Sequence, residues 1–172
     1  GIAMYGLAPA NDDPFKDGLR PAMKFVSYVA GVRAAVPGDS VGYGRTWAAS
    51  RPSRIALVMC GYAAGYRRAP GNRAHVLVHG RRAPVVGRVA MDMCMVDVTA
   101  VPGARPGDVA TLLGRDGEER VDADELAALA DTISWEILAG VTARVPRLSV
   151  RGGEVVETTT LVARVPAPPP GG

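Results

Sequence analysis

Apolar and polar residues alternate along this chain in short runs, at the period of strands rather than of helices. Strands are predicted at Met23–Val29, Ile55–Cys60, His75–Val78, Ala83–Val89, Cys94–Val98, Asp108–Leu113 and Ala143–Val150, spaced by Gly and Pro turns. Residues 1–8 alternate poorly and read as a buried strand ending at Pro9. Asn11–Pro21, with its Asn, Asp, Pro and Gly, reads as a loop or linker. One stretch changes period. Asp122 with Glu125 three residues on makes a capping-box-like start, and Leu126, Leu129 and Ala130 follow at helical spacing. Thr132 is expected to cap a second short helix, Ile133–Ala139, stopped by Gly140 in left-handed geometry. Many short strands so spaced imply a mainly β, barrel-like fold with one or two short helices near residues 123–139. Beyond Arg151 the chain is rich in Gly, Thr, Ala and Pro, and residues 152–172 are read as a flexible tail.

Composition narrows the classes. The chain has 172 residues, 48% hydrophobic but only 5% aromatic, so the core must rest on Val, Leu, Ala and Ile. No apolar run approaches the roughly 18 residues of a membrane span. Gly1–Leu7 lacks the basic flank of a signal peptide and an initiator methionine, and is expected to be a cut or processed end. The net charge of +3 comes mostly from arginine; Arg67-Arg68 and Arg81-Arg82 are short clusters without interleaved aromatics, which argues against nucleic-acid binding. Cys60 and Cys94 lie in apolar runs and are expected to be buried reduced thiols, although spacing alone does not decide whether they pair.

Candidate chemistry collects in three Gly-punctuated motifs: Val41-Gly42-Tyr43-Gly44-Arg45-Thr46, Gly61-Tyr62-Ala63-Ala64-Gly65-Tyr66 and Gly87-Arg88-Val89-Ala90-Met91-Asp92-Met93-Cys94. Flanking glycines leave a tyrosine ring unhindered and let a ligand approach the backbone. A phenol works as a base only where its surroundings favour the phenolate. His75 and His79 would lie about 13 Å apart along a strand, too far for one ion, so no metal site is expected. The acids Asp122, Asp124 and Glu125 suit a helix N-terminus rather than a catalytic pair.

In this order and spacing the three motifs resemble the C-terminal β domain of alanine racemase, over nearly the whole chain from Gly1 to about Val150. The resemblance implies that residues 1–20 are the last strand of a (β/α)8 barrel plus a linker, and that residues 21–151 are the C-terminal β domain. It implies that Tyr43 is the catalytic base for the L-amino acid and that a lysine, outside this chain, serves the D-amino acid. Lys16 falls in the linker and Lys24 begins a strand, so neither suits that role. Pyridoxal phosphate is the implied cofactor, with Gly1, Ile2 and Trp135 near its phosphate. Met91 would offer its backbone N–H to the substrate carboxylate, and Tyr62 would line the entrance. Two positions depart from the family pattern: Ala64 stands where an aspartate is usual, and Trp135 where a tyrosine is usual. The implied partners are alanine and a second copy of the chain, in a cytoplasmic homodimer supplying D-alanine for peptidoglycan. This chain alone is expected to be inactive. A β-barrel interaction module without catalysis and a racemase for another small amino acid remain the alternatives.

Overall fold

The computed structural model describes residues 1–9 and 18–166. Their strands, in chain order, are β1 (Phe25–Ala35), β2 (Ser40–Val41), β3 (Trp47–Ala48), β4 (Ser53–Val58), β5 (His75–Val78), β6 (Arg81–Val86), β7 (Cys94–Asp97), β8 (Val109–Asp116), β9 (Glu119–Val121), β10 (Arg147–Arg151), β11 (Glu154–Thr159) and β12 (Arg164–Pro166). Two helices, α1 (Ala123–Ala130) and α2 (Ser134–Ala139), separate β9 from β10.

The main sheet runs β1-β4-β7-β6-β5-β8-β9, and β1 also pairs with β8, so six of the strands close into an antiparallel ring. One long strand makes the closure. Phe25–Tyr28 pair with β8, while Val29–Ala35 pair with β4, with a register shift between Val29 and Gly31. A bulge at that point bends the strand so that it can serve two neighbours. Closure removes the unpaired edges that an open sheet would expose. Inside lie Val29, Val58, Val76, Val85, Val96 and Leu112, all essentially inaccessible, and α1 and α2 bury Leu126, Ala127 and Ile137 against the same core. This is the Val- and Leu-built interior that the low aromatic content requires.

A second, smaller cluster lies under the β2–β3 ribbon. Val41 and Ala49 pack with Ile55 of β4 and Val86 of β6, and Trp47 leans on the same group. It anchors the β2–β3 ribbon, whose connection carries Tyr43, against the main sheet.

Several expectations need correction. Residues 1–8 are not a strand: Ile2–Tyr5 form a 3-10 turn that ends at Gly6, whose φ is +76°. The segment is apolar because Ile2, Leu7 and Ala8 are buried, not because it is extended. Gly140 has φ −71° and is not left-handed; the left-handed cap is Asp131, after α1. Ile133 rather than Thr132 is the N-cap of α2, and the Thr132 hydroxyl bonds to the Glu136 carboxylate. The final strand of the domain is Arg147–Arg151, and residues 154–166 of the supposed tail continue from it as a three-stranded sheet, β10-β11-β12. Lys16 and residues 167–172 lie outside the described residues. Cys60 and Cys94 are both free and buried.

Candidate functional site

The three Gly-punctuated motifs meet at one loop, Gly87–Met93, between β6 and β7. The Tyr43 turn crosses its beginning. Gly42 has φ +77° and ψ 171°, a conformation open essentially to glycine alone. A Cβ there would lie 3.2 Å from the Arg88 backbone nitrogen, and one on Gly87 would lie 2.7 Å from the Val41 carbonyl oxygen. The two backbones touch because neither position carries a side chain. The Arg88 guanidinium packs against Gly44, 3.1 Å from where a Cβ would be, which puts a positive charge one residue from Tyr43.

The Tyr62 turn grips the end of the same loop. The Tyr62 N–H donates to the Ala90 carbonyl at 3.1 Å and the Ala63 N–H to the Met91 carbonyl at 2.9 Å. Gly61 is required for this approach: a Cβ would fall 2.2 Å from the Ala90 oxygen. On its other side this turn rests on the end of α2, where the Thr142 N–H donates to the Ala64 carbonyl and the Thr142 hydroxyl to the Ala63 carbonyl at 3.0 Å. Ala64 therefore holds its place through backbone bonds, without the usual carboxylate. Asp92 pairs with Arg144 at 3.0 Å, a second tie between the loop and the chain after α2.

The side chains thus presented are large and exposed: Tyr43 at 72%, Tyr62 at 42% and Met91 at 55%. Singly exposed apolar residues are ordinary, but these three are brought to one loop. Tyr66, the other tyrosine of the second motif, is the contrast, being 3% exposed within the core. Burial pushes its phenol well above the ordinary value, with the neighbouring Cys94, Cys60 and Glu125 adding to the effect.

Residues 22–149 match the family described as alanine racemase, C-terminal domain. The chain belongs to that family. It is 47% identical over 154 residues to the alanine racemase of Symbiobacterium thermophilum, covering 90% of this chain and 40% of that protein. The alanine racemase of Bacillus anthracis with bound L-Ala-P superposes with a TM-score of 0.85 at 40% identity, over 93% of this chain and 41% of that one. The Bartonella henselae alanine racemase with covalently bound pyridoxal phosphate superposes with a TM-score of 0.73 at 30% identity, over 82% and 38% respectively. The chain spans about two fifths of the length of the relatives that it matches.

The remaining residues implied by the alanine racemase resemblance sit on other segments of the chain. Gly1 and Ile2 open the 3-10 turn, whose internal hydrogen bonds begin at the Met4 N–H, so the amides of Ile2 and Ala3 are not used within it. Unused amides at the start of a turn are a donor set that fits a phosphate dianion. Trp135 is half-buried on α2, leaning on the main core. Lys24 is beside Gly114, where β1 meets β8. His79 pairs with Asp108 at 2.9 Å, and among the described residues no three ligating side chains cluster as a metal would need. Among the described residues no helix is long and apolar enough to cross a membrane. Sequence reasoning passed over Asn72, which bonds both the Tyr43 turn and Gly87. Its only signal was Gly71-Asn72, an ordinary turn dipeptide.

Proposed function

We propose that this chain is the C-terminal half of a pyridoxal-phosphate-dependent alanine racemase in which Tyr43 is the base for the L-enantiomer. The observation that carries the proposal is the meeting of all three motifs at the Gly87–Met93 loop, with Tyr43, Tyr62 and Met91 exposed around it. Inversion at an α-carbon needs a proton removed on one face and returned on the other. The Tyr43 hydroxyl oxygen holds or releases the proton on one face, and a lysine outside this chain does so on the other. Met91 directs its backbone N–H to the substrate carboxylate, and Tyr62 narrows the approach. The amides of the Ile2 turn, beginning at Gly1, and the Trp135 indole N–H would hold the phosphate of the cofactor. Pyridoxal phosphate, when bound, draws electron density from the α-carbon.

High exposure of the three side chains suits a site completed by a second subunit, so the working form is a homodimer in which each C-terminal domain reaches the barrel of its partner. The product, D-alanine, would serve peptidoglycan synthesis in the cytoplasm. The intact gene product, purified from its own cells, tests the reading. It should have a subunit more than twice the length of this chain, as its 40% share of a relative implies, with bound pyridoxal phosphate and alanine turnover exceeding that for serine. This chain by itself, with added cofactor, should not racemise alanine. A colourless gene product of this chain's own mass would favour the interaction module instead.

A further inference from the structure

Between the Tyr43 turn and the Gly87–Met93 loop sits one side chain that touches both. Asn72 Nδ2 donates to Thr46 Oγ1 at 3.1 Å and to the Thr46 carbonyl at 3.4 Å, at the end of the Tyr43 turn. Asn72 Oδ1 accepts from the Gly87 N–H at 2.5 Å, at the start of the loop that leads to Met91. These partners are 26 and 15 residues away in sequence, so the contact is tertiary. The backbone is shaped to deliver it. Asn72 has φ +63°, the left-handed region that asparagine tolerates better than most residues. Gly71 lets the turn come close, since a Cβ there would lie 2.9 Å from the Gly87 oxygen. A neutral carboxamide carries both a donor and an acceptor, so this one side chain can donate to one segment and accept from the other.

We propose that Asn72 is a positioning residue, a clasp that sets the spacing between Tyr43 and the substrate-holding loop at Met91. The proposal rests on the racemase reading of the site. Tyr43 is highly exposed and its own turn is short, so its hydroxyl is placed through the β2–β3 anchor, the contacts of Gly42 and Gly44 with Gly87 and Arg88, and this clasp. Reaction rates are steep in such placement: a misplacement of about 1 Å can cost about 100-fold.

The test uses the full-length protein and two variants. Asn72→Gly removes both side-chain bonds while accepting the left-handed backbone, so lost contacts are separated from backbone strain. Asn72→Asp keeps the acceptor for the Gly87 N–H, and its carboxylate can accept from the Thr46 hydroxyl. Asn72→Gly should lower kcat about 10-fold or more with KM changed little. It should also change the isotope pattern. The primary deuterium effect with L-[2-²H]alanine should rise and that with D-[2-²H]alanine should fall, because only the Tyr43 step is slowed. General damage to the fold or to cofactor binding would leave the ratio of the two effects unchanged. Asn72→Asp should recover most of the rate. Amide exchange read by NMR or mass spectrometry should show the Gly87 N–H of Asn72→Gly opening about 10-fold faster or more, with β5 amides unaffected. An unchanged isotope ratio, or unchanged Gly87 exchange, overturns the clasp. A wild-type protein without racemase activity would instead overturn the function proposed above, and the Gly87 exchange would still decide whether Asn72 holds the two segments.

Discussion

Tyr43 stands between glycines for a reason the backbone makes explicit. Gly42 has a positive φ and lies against Arg88, so Gly42→Ala should destabilise the domain by about 1–3 kcal/mol in denaturant unfolding, through strain and contact together. Wild-type stability in that variant would mean that the turn is softer than its geometry. The cysteines give a second prediction. Burial pushes the Cys60 thiol up to about 12 and raises Cys94 as well, with the charge of Cys60 adding to the latter. In the unfolded chain both ionise near their ordinary values, so above pH 9 the unfolded state binds fewer protons than the folded one. Stability should therefore be complete below about pH 9 and fall as pH rises toward 12, by up to about 1.4 kcal/mol per pH unit for each thiol. Cys60→Ala should flatten that slope, and neither thiol should react with iodoacetamide at pH 8 until the protein unfolds. Candidate site residues were legible where their motif is contiguous. Tyr43, Tyr62 and Met91 sit inside short glycine motifs, whereas Asn72 works through partners 15 and 26 residues away and shows only as a turn residue.

Among the elements, α1 was the most readable because its start is written in local chemistry. The Asp122 carboxylate accepts the Glu125 N–H at 2.8 Å, as the capping-box spacing predicts. Asp122→Ala should cost about 1 kcal/mol of stability, and thermal unfolding will show whether it does. Gly140 misled for an instructive reason. Glycine can mark a left-handed cap, but it also marks close approach, and here a Cβ on Gly140 would lie 2.8 Å from the Glu136 carbonyl oxygen. The C-terminal sheet was missed because composition outweighed propensity. Val155, Val156 and Thr158–Thr160 are β-branched, and β11 is held to β12 by the Glu157–Arg164 pair at 2.6 Å. Strand centres such as His75–Val78 and Cys94–Asp97 were legible as short apolar runs between Gly and Pro turns, while β2, β3 and β9 are too short to stand out.

At the scale of the molecule, closure through β1 makes the sheet a continuous frame, and the candidate residues Tyr43, Tyr62 and Met91 all lie on connections outside the strands. The strands supply most of the buried core, and the connections between them carry Tyr43, Tyr62 and Met91 to solvent. Barrel closure itself was only partly legible, since alternation predicts strands but not the double pairing of β1. The central proposed assignment is Tyr43 as the base for one enantiomer. The measurement is α-proton exchange in deuterated water by the full-length Tyr43→Phe protein, followed separately for L- and D-alanine by NMR. Exchange at L-alanine should fall by about 10²–10⁴, while D-alanine continues to exchange its α-proton without inversion. Wild-type exchange at L-alanine in that variant would contradict the assignment of Tyr43.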